Sequence, residues 1–211
     1  MDIKPIETIY NGYRFRSRLE ARWAVFFDAG GIKYEYEPEG FDVGKDGCYL
    51  PDFYLPEEDI YVEVKPDRQN ANAEILKAIG IVNRYKKILL VLREIPYSKD
   101  CGVWWYPIYY YHPVSESVYG CRVTFLGWEK EGLHLARDFK YGIEAEVGFP
   151  YGYGIKDCIA LSDIELEPRE SNPTGGVWPV RDAYDNDFIK SCYTKARQAR
   201  FEHGETPKVS R

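Results

Sequence analysis

The 211-residue chain is 45% hydrophobic and 29% charged, which suits one ordinary globular domain or a domain with an extension, and its 19 Tyr, 10 Phe and 5 Trp supply aromatic bulk for a core. A formal net charge of −6 argues against a protein that coats nucleic acid through bulk positive charge, and no apolar run approaches the roughly 20 residues that span a bilayer. Five dispersed cysteines without a Cys-x-x-Cys pair, and three isolated histidines (His112, His134 and His203), argue against structural zinc and imidazole metal chemistry and predict reduced thiols in a cytoplasm.

The start, Met1-Asp2-Ile3-Lys4-Pro5, has no basic segment followed by an apolar one, so no secretory leader is expected. Arg14, Arg16, Arg18 and Arg22 then crowd one short segment. Residues 17–29 read as a helix closed by Gly30-Gly31, with Leu19, Trp23, Phe26 and Phe27 on one stripe facing a core. Ser17 at the N-cap with Glu20 three residues on makes a capping-box pattern, so Glu20 has a structural role available to it without any chemistry.

A strand is expected over 32–37, with Tyr34 and Tyr36 alternating against Lys33 and Glu35, followed by a loop through Gly40, Gly44 and Gly47. Tyr49 to Leu55 reads as an aromatic strand closed by Pro56, and Glu57-Glu58-Asp59 as the polar turn of a hairpin. The returning strand is Ile60-Tyr61-Val62-Glu63-Val64-Lys65. Side chains alternate faces along a strand, so Glu63 and Lys65 emerge on the same side, and a tight hairpin sets Asp52 across from Glu63. Two carboxylates so placed suit one hard cation. Taken alone, the Glu-x-Lys triplet is the common pattern of a solvated strand face carrying a cross-strand ion pair, and the elements on either side are what favour a metal site.

Residues 71–85 read as a second helix with Ile75, Ile79 and Val82 on one stripe, weakened by Gly80, and 88–92 as a fully apolar strand joined by a parallel, right-handed crossover. The predicted order is helix, three strands, helix, strand: a mixed α/β core over 1–95. Residues 96–180 form a β-containing aromatic extension packed on that core, with strand-like pieces at 103–111, 118–126 and 141–149 and a glycine-rich loop at 151–154. Its Trp and Tyr side chains fit a core, or stacking on bases. Residues 182–201 read as a final helix in which Lys190, Lys195, Arg197 and Arg200 stand without an acid among them; with the tail it forms the unit 181–211.

The combination of an acid on the first helix, Pro51-Asp52 entering the hairpin, Glu63-Val64-Lys65 leaving it, and the helix and strand that follow resembles the PD-(D/E)XK nuclease superfamily over residues 13–93. The strings Arg18-Leu19-Glu20-Ala21-Arg22-Trp23, Tyr49-Leu50-Pro51-Asp52-Phe53 and Val62-Glu63-Val64-Lys65-Pro66 are similar to those of small nucleases of phages and mobile elements, and the resemblance thus implies a bacterial host cell. It implies a restriction-endonuclease-like αβββαβ core and hydrolysis of DNA, with RNA left open. Asp52, Glu63 and the main-chain carbonyl of Val64 would hold Mg²⁺ or Mn²⁺, one or two ions, with Glu20 binding or positioning a metal and Lys65 orienting the attacking water and steadying the phosphate. Arg14, Arg16, Arg18, Arg22, Gln69, Lys195, Arg197 and Arg200 are candidate nucleic-acid contacts, with a solvated basic face as the competing reading for the arginines. Two alternatives stand beside a general endonuclease: a structure-selective junction resolvase, which needs a homodimer, and a nuclease-like binding protein that meets a protein partner through the aromatic extension.

Overall fold

The computed structural model describes residues 6–66, 71–96, 106–128, 132–137 and 187–201. In chain order it contains β1 (Thr8–Tyr10), β2 (Tyr13–Phe15), α1 (Arg18–Gly30), β3 (Glu35–Tyr36), β4 (Phe41–Asp42), a short 3₁₀ turn (Gly44–Asp46), β5 (Cys48–Tyr49), β6 (Phe53–Leu55), β7 (Ile60–Val64), α2 (Ala71–Tyr85), β8 (Ile88–Leu92), β9 (Tyr106–His112), β10 (Ser117–Trp128), β11 (Gly132–Arg137) and α3 (Asp187–Gln198). The central sheet has the order β11-β10-β9-β8-β7-β6-β3, and β1-β2 and β4-β5 are separate two-stranded ribbons. Among the described residues β7 and β8 pair in parallel and the other pairs of the central sheet are antiparallel, so the sheet is mixed. Among the described residues no helix is long and apolar enough to cross a membrane.

Helix α1 begins where its sequence says it should. The Ser17 hydroxyl accepts the Glu20 N–H at 3.2 Å, and Gly31 closes the helix at φ 75°, the left-handed backbone that a residue without Cβ adopts at no steric cost. Trp23, Phe26 and Phe27 are fully buried, and Trp23 spends its one polar atom on the carbonyl of Arg93 at 2.7 Å. Together with Ile189, Cys192, Tyr193 and Ala196 of α3, these side chains cover one face of the sheet, the face that presents Phe53, Leu55, Ile60, Val62, Val64, Leu90 and Leu92. On the other face Tyr61, Leu89 and Val91 pack under Ile75, Ala78, Ile81 and Val82 of α2. All five residues of β7 are therefore buried. The polar residues of this strand do not form a solvated face.

Two expected strands are cut short. The run 49–55 divides into β5 and β6, because Pro51 has no N–H to continue a ladder. The strand expected over 32–37 shrinks to Glu35–Tyr36, ending as Glu37 turns to φ 48° and donates its N–H to the carbonyl of Asp52 at 2.9 Å. The aromatic stretch behaves as core: β9 alternates with Tyr106, Ile108 and Tyr110 buried against α1 and α3, while Tyr109 and Tyr111 pack half-buried toward α2. Strands β9, β10 and β11 continue the central sheet beyond β8, and β11 occupies residues not read as a strand. The strand-like piece at 141–149, the loop at 151–154, Trp104, Trp105 and residues 182–186 lie outside the described residues.

The ribbon β4-β5 lies on α2. Phe41 meets Tyr61 and Tyr85 edge-on, and Val43 sits against Gly80 so closely that a Cβ there would stand 2.8 Å from the Val43 Cβ. Glycine within a helix normally costs about 1 kcal/mol against alanine, yet here it is what admits the ribbon. Gly80→Ala is accordingly expected to lower the melting temperature, with overpacking of about 1–3 kcal/mol outweighing the gain in helix propensity. Val43→Gly, which removes the opposing Cβ, should recover part of that loss in the Gly80→Ala background; a Gly80→Ala protein that melts higher than wild type would disprove the close fit.

Candidate functional site

The β6–β7 register pairs Phe53 with Val62 and Leu55 with Ile60. Extended by one pair, it sets Asp52 opposite Glu63. Both carboxylates are buried, at 7% and 2% exposure, so neither is a surface acid. The Val64 N–H donates to Asp52 Oδ2 at 2.7 Å, tying the residue before β6 to the end of β7. Glu63 is held at both oxygens: Lys65 Nζ lies 2.6 Å from Oε1, and the Tyr49 hydroxyl donates to Oε2. Lys65 also reaches Glu74 Oε2 on α2 at 3.0 Å. Glu63 and Lys65 thus share a side of β7, as strand alternation requires, and that side faces α2.

Glu20 approaches from α1. It too is buried, at 7% exposure. Its Oε1 accepts the Ser17 hydroxyl at 2.6 Å, and its Oε2 accepts the Arg16 N–H at 3.1 Å and the Tyr36 hydroxyl at 2.7 Å. This is a capping arrangement, and the same carboxylate lies near enough to Asp52 to act on its ionisation. The two readings of Glu20 are not exclusive in space.

Electrostatically the site has too much negative charge for its surroundings. Burial, then the charges of Glu63 and Glu20, raise the Asp52 pKa well above the ordinary aspartate value, against the opposing pull of the Val64 N–H and Lys65. Burial likewise raises Glu63, and Lys65 and the Tyr49 hydroxyl offset part of the rise. For Lys65, burial acts against the ammonium, but Glu63, Asp52 and Glu74 together outweigh it and hold its pKa above the usual lysine range. Burial and Glu63 keep the Tyr49 phenol protonated, as a donor must be.

The donor set is of the kind a divalent cation takes. Three buried carboxyls stand around one ammonium, and carboxylate oxygens are what Mg²⁺ and Mn²⁺ prefer. Asp52 Oδ1 carries no hydrogen bond among the described residues, whereas both Glu63 oxygens are engaged. The chemistry of the set fits; the arrangement in hand is closed by Lys65, and no group of three or more acidic, His or Cys side chains stands ready to hold an ion among the described residues.

The other expected residues are scattered. The Arg14 side chain is exposed and paired with Glu7, and the Arg16 guanidinium pairs with Glu37. Arg18 is half-buried and has partners; Arg22 is half-buried with its Nε enclosed and without a hydrogen bond among the described residues. Lys195 and Arg200 are exposed, and Arg197 reaches the Pro96 carbonyl at 3.4 Å. Lys195 and Arg197 belong to α3, which packs in the layer of α1, whereas Glu63 and Lys65 face α2. Gln69 lies outside the described residues, and Val64 enters the described site through its N–H. Three participants were not singled out from sequence: Tyr49, Tyr36 and Glu74. Tyr49 stands three residues before Asp52 and Glu74 in the first turn of α2, but the pairing of β5 into a separate ribbon and the approach of α2 to β7 are tertiary facts.

Comparison with models of protein families, with curated proteins and with solved structures finds no match for this chain.

The raised carboxyl pKa values have a signed consequence. A group that holds its proton more tightly when folded contributes stability below its unfolded pKa and loses it as pH rises through the folded value. With metal chelated, the melting temperature should therefore fall across the window that opens at the ordinary carboxylate pKa and runs upward from it, through Asp52 and Glu63; Lys65, raised in turn, acts only in the far alkaline range. Asp52→Asn keeps the acceptor for the Val64 N–H and should flatten that slope, and Mn²⁺ should raise the wild-type melting temperature more at the upper end of the window. Identical slopes for the two proteins in chelator would show that Asp52 carries no such burden.

Proposed function

We propose that the protein is a divalent-metal-dependent nuclease of the PD-(D/E)XK kind that hydrolyses DNA phosphodiester bonds. The observation that carries this reading is the buried pair Asp52 and Glu63, set opposite each other on neighbouring antiparallel strands with Lys65 on the Glu63 side. The element order supports it. After α1, the strands that enter the central sheet are β3, β6 and β7, then comes α2, then β8 parallel to β7, a restriction-endonuclease-like αβββαβ run interrupted only by the ribbon β4-β5.

On this reading Asp52, Glu63 and the Val64 carbonyl would hold Mg²⁺ or Mn²⁺, with Glu20 beside Asp52 as a further acid. The cation, when bound, supplies Lewis acidity and neutralises charge at the scissile phosphate. The chain's own groups do the rest. The Val64 N–H fixes the Asp52 carboxylate, the Tyr49 hydroxyl fixes one oxygen of Glu63, and the flanking core of α1, α2 and the ribbon keeps bulk water from both carboxylates. Lys65, an ammonium at any physiological pH, donates to the phosphate or to the attacking water, a task suited to positive charge held in a half-dry site. An acidic chain is compatible with this activity, because the cation provides positive charge where the phosphate sits.

The test is a cleavage panel of linear, nicked, single-stranded and four-way-junction DNA and a structured RNA, each with Mg²⁺, Mn²⁺ or EDTA. Cutting should require the metal and fall by at least about 10²-fold in Lys65→Ala and Asp52→Ala. Metal-independent cutting, or activity kept in both variants, would overturn the assignment, as would a folded protein that cuts none of the substrates. Glu20→Gln resolves the double role of that residue: loss of the cap alone lowers stability by about 1 kcal/mol, whereas a site role also removes activity in protein that remains folded at the assay temperature.

A further inference from the structure

Lys65 is shared between two acids of opposite character. Glu63 is an interior carboxylate, its side chain 3% exposed, whereas the Glu74 side chain is 64% exposed on the first turn of α2. The lysine itself is 20% exposed, and its Nζ stands 2.6 Å from the inner carboxylate and 3.0 Å from the outer one. A divalent cation bound by Asp52 and Glu63 cannot share Glu63 Oε1 with an ammonium, because two cations at bonding distance from one oxygen repel strongly where the dielectric is low. The ammonium must leave that oxygen and yet stay near the site. Glu74 is already within hydrogen-bond reach, lies outward of Glu63, and belongs to the helix that follows Lys65 in the chain.

We propose that Glu74 is the positioning residue for Lys65: it draws the ammonium off Glu63 as the paired carboxylates take up a divalent cation, and holds it at the rim of the site. This rests on the metal-dependent reading of Asp52 and Glu63. Without Glu74, Lys65 turns fully to the interior acids and competes with the cation for them. The apo site is thus an internally neutralised one, and Glu74 sets how readily the neutralising group yields.

The experiment is Mn²⁺ titration of the full chain by calorimetry, for wild type, Glu74→Gln, Lys65→Met and the double variant, beside Mn²⁺-dependent cleavage by wild type and Glu74→Gln. Glu74→Gln should weaken Mn²⁺ binding by about fivefold, the scale of a partly exposed ion pair, and raise the Mn²⁺ needed for half-maximal cleavage by the same factor. In the Lys65→Met background the same change should matter by less than about twofold, since no ammonium remains to be held. An equal factor in both backgrounds would mean that Glu74 acts only through its own charge, and would overturn the proposal. So would a Glu74→Gln protein that binds Mn²⁺ like wild type; in that case the metal-dependent reading survives. Wild type that binds no Mn²⁺ overturns both.

Discussion

Two carboxylates face each other inside a sheet whose strands are covered above and below, and the neighbourhood is arranged around that fact. Burial of an ionised acid is costly unless it is paired and hydrogen-bonded. Here each neighbour contributes a donor: the Val64 N–H to Asp52, the Tyr49 hydroxyl and the Lys65 ammonium to Glu63. The ribbon β4-β5 lies on α2 through Phe41 and Val43, which brings Tyr49 within reach. Helix α2 in turn brings Glu74 to the lysine. The packing of the α2 layer and the polarity of the site are parts of one arrangement.

The start of α1 joins the same arrangement from the other layer. Ser17 and Glu20 satisfy helix-end groups, and Tyr36 on β3 donates to the Glu20 carboxylate. Glu37, the next residue, donates its N–H to the Asp52 carbonyl. A short path of hydrogen bonds therefore runs from the helix cap through β3 to the residue opposite Glu63. A buried polar network of this kind fixes geometry when each member is satisfied, and the charge of Glu20 is felt at Asp52.

Local signals carried much of this. The capping pair Ser17/Glu20, the stripe Trp23-Phe26-Phe27, the apolar run Ile88–Leu92 and the extent of α2 are legible because each follows from periodicity or a cap within one element. The facing of Asp52 and Glu63 is legible because a short hairpin fixes register. What escaped is long-range. Pro51 marks a break in the ladder, but nothing local says that the two halves join different sheets, or that Gly80 is a seat for Val43 and not a flaw in a helix. Nor does β7's alternation reveal that its polar side is roofed by α2, which is what turns a surface ion pair into a buried one. The extension's aromatic residues were ambiguous between core and surface because a strand buried on one side and half-buried on the other has no unique composition.

The face of α1 has one further consequence, which concerns order in time. Its aromatic side chains are completed by a helix that lies more than a hundred residues downstream: Tyr193 stacks on Phe26 with ring centroids 4.6 Å apart, and Arg197 reaches back to the carbonyl of Pro96. Synthesis delivers α1, both carboxylates and Lys65 more than a hundred residues before α3. Until α3 arrives, Phe26 lacks one of its walls, and contacts of such sequence separation form slowly. On the ribosome, then, the acids and the lysine exist as a sequence well before they exist as a supported site, and the last described helix is what closes the interior behind them.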